Sequence, residues 1–317
     1  MHVAQRCFYC GQVLPLHAAP GDQIAPFTPL RLLTAWTFEP VLLAVIIATG
    51  ALYLYGVRQL RKRGDKWPVG RTVAFVGLGL GSAVIATQSA LGTYDTVLLS
   101  VHMAQHMILS MLTPLMMALG APVTLALRTL PQRPRKWLLS VLHSRFAKVA
   151  CFPLIGFTLF VLSPWVLYFS GIYDATLRST VLHDLLHFHF ILVGSLFFWP
   201  LLGVDPVPGR VIYPFRLIMT FLTLPFHAFL GITIMSANTL IAEDWYTSFE
   251  RSWPPSPLHD QFIAGGLLWG SGDIVGLVFF AVLFVQWVRD SQREARREDR
   301  RLDRLEEQAR RAEQAPR

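Results

Sequence analysis

Hydrophobic positions in this chain do not alternate with polar ones. They gather into seven long runs, at 41–57, 73–91, 97–119, 149–169, 181–202, 215–236 and 265–288. A helix needs about 20 apolar residues to cross the hydrocarbon of a bilayer. The first run is the shortest, but Trp36 and Phe38 before it and Tyr53 and Tyr55 near its end suit the two interfaces. Pro114, Pro153, Pro164 and Pro225 fall inside runs without excluding them, because neighbouring helices satisfy the backbone groups a kink frees. The pattern predicts an all-α membrane protein: a bundle of seven transmembrane helices over 38–288, with an extracytoplasmic segment 1–37 before it and a tail 289–317 after it.

Composition agrees. Of 317 residues 53% are hydrophobic and 15% charged, with a mean hydropathy of +0.44. Soluble domains carry about 25% charge, so a soluble globular enzyme is excluded. Three cysteines exclude a disulfide-rich secreted scaffold. The net charge of +8 raises the question of nucleic acid, but its distribution points to a membrane. Of the 28 Lys and Arg, six lie in the first connection, six in the third, two at the fifth and ten in the tail, all on one side. The other side holds only Arg6, Arg31, Arg178 and Arg251. Positive residues stay cytoplasmic, so the N-terminus is expected outside and the C-terminus inside. No secretory signal peptide is expected; the first hydrophobic helix targets the chain. The tail, with Arg and Glu on every face, reads as a juxtamembrane helix attracted to anionic lipid headgroups.

Ionisable groups inside a span are expensive and usually mark function. At 1.5 Å per residue, His102 and His106 lie about 8 and 14 Å below the outer surface. His183, Asp184 and His187 lie within about 10 Å of it, His227 about 14 Å and Asp273 about 12 Å. Gln88 closes the second run at that face, and Gln105 sits between the two histidines of the third. His102/His106 and His183/His187 are i, i+4 pairs, each projecting two imidazoles from one helix face. Two facing pairs place four nitrogens around one cavity, as helical two-histidine motifs do for zinc. The other reading is that each ring hydrogen-bonds a carbonyl or polar neighbour across helices. His189 points about 200° away from His187 and reads as a packing residue.

Met103, Met107 and Met111 form a stripe one residue off the first pair, and Met235 ends the sixth run. Thioether with imidazole suits Cu(I), whereas carboxylate with imidazole suits iron or zinc; the stripe is read equally well as gap-filling core. Cys7 and Cys10 form a C-x-x-C without a following His, so covalent haem attachment is not indicated. The pair could form a disulfide, pass copper inward, or belong to a dispensable terminus.

The run His102-Met-Ala-Gln-His-Met107, with Pro114 and Leu119-Gly-Ala-Pro122, resembles the polytopic CtaG-like cytochrome c oxidase assembly proteins of bacteria. Also similar are His183-Asp-Leu-Leu-His187, Trp199-Pro-Leu-Leu-Gly-Val-Asp-Pro206, Pro225-Phe-His227, and Asp260-Gln261 before Gly265-Gly266. The resemblance runs from Phe38 to the tail. It implies a non-enzymatic role in maturing a haem-copper oxidase, by supplying or inserting copper, with the oxidase subunits as partners. Copper on His102, His106, His183, His187 and His227 is inferred from their position. Met103, Met107, Asp184, Asp273, Gln105, Cys7 and Cys10 would be accessories, the two aspartates orienting imidazoles. A membrane di-iron oxygenase, a b-type haem protein and a metal or proton transporter remain the alternatives.

Overall fold

The computed structural model describes residues 24–208, 211–249 and 251–314, and these form helices and connections with no strand. Seven long helices dominate: α1 (Pro40–Lys62), α2 (Val69–Tyr94), α3 (Leu99–Thr129), α4 (Pro153–Tyr168), α5 (Thr180–Leu202), α6 (Tyr213–Ser236) and α7 (Pro257–Gln314). Six of them, all but α4, are long and apolar enough to cross a membrane. The chain is therefore a multi-pass membrane protein. The fourth apolar run, expected at 149–169, is shortened because Phe152 precedes Pro153 and is held extended at ψ 121°. Residues Arg145–Ala150 form a separate turn of helix, leaving α4 with 16 residues, about 24 Å at the helical rise. At the other extreme, α7 continues past residue 288 without a break, so the basic tail prolongs the last span.

Local sequence explains where the helices bend. Pro114 cannot donate to the Ser110 carbonyl, and its ring would collide with it in a regular helix. The chain widens into a π-helical turn at Ile108–Leu112 immediately before that proline. The carbonyl so displaced lies against Gly194 of α5, where any Cβ would collide with it. Ala121 takes a left-handed conformation, φ 50°, and lets α3 turn before Pro122. Gly203, at φ 62°, ends α5.

Two helices form the centre. Over half of the apolar window of α3 and of α5 is buried, 56% in each, against 28% for α1 and α7 at the perimeter. Those two central helices carry the paired histidines. Around them α6 packs along α7 at a close crossing of Gly231 on Gly265, the small-residue contact typical of membrane helices. Carboxylates cap the ends across the bundle. Asp260 of α7 accepts from Leu99 N at 2.6 Å and from Ser100, holding the start of α3.

The two ends of the bundle differ in character. At the end where α3 and α5 begin, the short helices Pro29–Thr34, Ile172–Leu177 and Glu243–Thr247 lie over the core. Tyr173 and Tyr246 share a hydroxyl hydrogen bond of 2.7 Å there, and Trp245 Nε1 donates to Thr96 O at 2.7 Å. The opposite end gathers the basic connections: Arg63 donates to the Arg128 and Thr129 carbonyls, and Arg128 pairs with Asp65 at 3.5 Å.

Candidate metal centre

One turn apart on α5, His183 and His187 face inward and are fully enclosed. The connection between α2 and α3 brings Asp95 to them. His183 Nε2 donates to Asp95 Oδ2 at 3.0 Å, and His187 Nε2 lies 3.8 Å from the same oxygen. One donor atom from each of Asp95, His183 and His187 lies within 4.8 Å of the other two. Gln105 fixes the arrangement from α3. Its amide nitrogen donates to Asp95 Oδ2 at 2.9 Å and to Ala86 O at 3.0 Å, so its oxygen accepts from His187 Nε2 at 3.1 Å. That bond places the His187 proton on Nε2 and the lone pair on Nδ1.

His102 completes the pocket. Its ring lies 6.0 Å from that of His183, between Tyr173 at 5.0 Å and Tyr168 at 6.1 Å. It is fully buried, and among the described residues neither ring nitrogen has a hydrogen-bond partner. A buried polar atom without a partner destabilises the fold by about 1–3 kcal/mol. A cation bound there would relieve it.

A second carboxylate group adjoins the first. Glu39, the residue before α1, is 1% exposed, and Gln88 holds its backbone through Glu39 N at 3.0 Å and Glu39 O at 3.4 Å. Among the described residues no hydrogen-bond donor reaches its two carboxylate oxygens, and His187 Nδ1 is 3.9 Å away. Donor atoms of Glu39, Asp184 and His187 also lie within 4.8 Å of one another. Burial first, then the nearby Asp95 and Asp184 carboxylates, push the Glu39 carboxyl up to about 9.

The other expected residues sit elsewhere. His106 stacks on Phe190 at 4.0 Å and its Nδ1 meets the Tyr168 hydroxyl at 3.0 Å. His227 donates from Nδ1 to Thr223 O at 3.0 Å, the backbone hydrogen bond weighed as the alternative for each histidine. Neither is among the residues whose donors converge. Asp273 accepts from Trp269 Nε1 at 2.8 Å on its own helix. Met103 and Met107 are buried in the apolar core, and His189 lines a groove with Thr158 and Leu162. Cys7 and Cys10 lie outside the described residues. Two central residues, Asp95 and Glu39, lie just outside the apolar runs, so depth within a span does not single them out. Glu39 directly before Pro40 does carry a helix-start signal, since proline favours the first turn.

The family model described as cytochrome c oxidase caa3 assembly factor (Caa3_CtaG) matches residues 51–290. The chain belongs to that family. An uncharacterized protein of Mycobacterium bovis is 39% identical over 277 residues, covering 85% of this chain and 42% of its own length. An uncharacterized protein of Mycobacterium tuberculosis gives the same figures. One of Mycobacterium leprae is 37% identical over 273 residues, 84% of this chain and 41% of its own. The chain thus spans about two fifths of the length of these curated relatives. No solved structure matches it. Within the region shared with the assembly factor family lie Asp95 and all the converging histidines, while Glu39 precedes it. Other residues of the resemblance hold the fold. Asp205 caps the Pro122–Thr129 segment through Thr124 N at 2.8 Å, and Gln261 accepts from Ile241 N at 2.8 Å.

Proposed function

We propose that this protein is a non-enzymatic assembly factor of a haem-copper oxidase in the bacterial plasma membrane, and that it takes copper as cargo among His102, His183, His187 and Asp95. One observation carries the reading: buried imidazole and carboxylate donors from two separate parts of the chain, α5 and the α2–α3 connection, converge within 4.8 Å, beside a buried His102 with both nitrogens unpartnered. Imidazole donors suit copper, and a nitrogen-and-oxygen set suits its divalent state. Family membership supports the oxidase as the recipient. In this state the rings donate Nε2–H to Asp95 and Gln105. Binding through those nitrogens requires each proton to move to Nδ1 or leave, so the site exchanges hydrogen bonds for the ion. Such exchangeable holding is what delivery needs.

The same reading gives α4 as a seventh span. Its start, Pro153, shares a cavity wall with Pro208 near the basic end, and its last residue, Tyr168, meets His106 near the other. It therefore runs between the same two ends as its neighbours. With seven spans and the basic connections inside, the copper pocket would lie near the outer surface and the tail in the cytoplasm.

A strain lacking the gene, assayed for oxidase activity with and without added copper, tests the proposal. The native protein is expected to restore activity at low copper, and a His183→Ala/His187→Ala variant to restore it only when copper is supplied in excess. Full restoration by that variant at low copper would overturn the copper role. A second reading draws on the carboxylates Glu39, Asp95 and Asp184, which also suit a di-iron oxygenase. Iron rather than copper in the purified protein would favour it.

A further inference from the structure

We infer that Glu39, Asp184 and the Nδ1 of His187 form a second cation seat, so that the His187 ring stands between two divalent ions. The inference deepens the copper reading, since both seats share His187.

The two nitrogens of His187 look in different directions. Nε2 faces Gln105 at 3.1 Å and Asp95 at 3.8 Å, while Nδ1 faces Glu39 Oε2 at 3.9 Å. Because the Gln105 amide nitrogen is committed to Ala86 and Asp95, its oxygen keeps the His187 proton on Nε2. The Nδ1 lone pair therefore already points at the Glu39 group before any ion arrives. The first seat needs a ring proton to move; this one does not require a ring proton to move.

Glu39 itself asks for a cation. It is 1% exposed, and among the described residues no donor reaches either carboxylate oxygen. Its backbone is clamped by Gln88, which fixes where the side chain starts. A buried carboxylate is tolerated when paired or when it coordinates a metal. Two carboxylates and one imidazole make an oxygen-rich set, suited to a divalent ion of the copper(II), zinc or manganese type rather than to copper(I). Asp184 is partly exposed, whereas Glu39, Asp95, His183 and His187 are buried. The second seat thus holds the one partly exposed ligand of the two sets.

Charge closes the account. As the ions bind, the Glu39 carboxyl, kept protonated by its burial, and the His187 ring each release a proton to solvent, and the ring bridges as imidazolate. That anion with the carboxylates of Glu39, Asp95 and Asp184 balances two divalent cations.

The test is the copper content of full-length protein purified in detergent, loaded with Cu(II) and desalted, together with its electron paramagnetic resonance spectrum. The native chain is expected to retain two copper ions with spin coupling between them. Glu39→Gln/Asp184→Asn is expected to retain one, uncoupled. Glu39→Gln preserves shape and the backbone bonds to Gln88, and Asp184→Asn alone, which also lowers the count to one, serves if the double variant does not fold. Two coppers retained in both variants, or one in the native chain that Glu39→Gln/Asp184→Asn leaves in place, would overturn the second seat while the first stands. A native chain that retains none would overturn both.

Discussion

Adding one methyl group at Gly194 tests how tightly the histidine-bearing helices are coupled. An alanine Cβ there would lie 2.6 Å from Pro114 Cγ and 2.9 Å from the Ser110 carbonyl carbon, with the Ser110 oxygen closer still. Carbon atoms pack at about 3.5–4.0 Å, so α3 and α5 must part by about 1 Å. Overpacking of this kind destabilises by about 1–3 kcal/mol. At about 2 °C per kcal/mol for a chain of this size, the unfolding midpoint should fall by about 2–6 °C. Gly194 lies seven residues from His187 on the same helix, about 10 Å along its axis. A 1 Å separation there exceeds the tolerance of about 0.2 Å within which metal–ligand distances hold. Copper affinity of Gly194→Ala should therefore drop at least about tenfold, as when a supporting contact of a ligand is removed. The assay is thermal unfolding in detergent and copper titration, with Gly171→Ala as control, because a Cβ at Gly171 meets nothing within 4 Å. A Gly194→Ala protein with the native midpoint and native affinity would refute the reasoning that this contact sets the pocket.

Three further outcomes follow from other contacts. Asp205→Ala removes the acceptor of Val123 N, Thr124 N, the Thr124 hydroxyl and Trp199 Nε1; it should destabilise by about 2–4 kcal/mol in detergent unfolding while copper content stays native, since the cap is at the basic end. Gly231→Ala should lower the midpoint because its Cβ would come 2.6 Å from Gly265 O, whereas Gly270→Ala, with nothing within 4 Å, should not. A fluorescent protein fused after the tail should fluoresce, and Thr34→Cys in a Cys7→Ser/Cys10→Ser background should react with a membrane-impermeant thiol reagent from outside; labelling only after the cell is permeabilised would contradict seven spans.

Much of the architecture was open to reading from the chain because a bilayer demands long apolar runs, and each predicted run contains a helix. The fourth fell short for a local reason, the extended residue forced before Pro153. For the site, i, i+4 spacing correctly paired His183 with His187 on one face, since that relation is intrinsic to a helix. Which rings meet across helices is not intrinsic. His106 and His227 belong to the same expected cluster but find Tyr168 and Thr223 instead. Asp95 and Glu39 reach the pocket from a connection and a helix start, and only the folded packing shows that. Asp205 and Asp260 lie in the segments that carry the resemblance, yet their carboxylates hold helix ends. An acidic residue in a membrane protein is thus as readily a cap as a ligand.

The central claim is that His183, His187 and Asp95 grip one ion together. X-ray absorption at the copper edge on the loaded, detergent-purified protein tests it most directly. Scattering from imidazole rings at about 2.0 Å from copper, lost together with the metal in His183→Ala/His187→Ala, is the predicted result. A copper shell without imidazole scattering, or one unchanged in that variant, would contradict it.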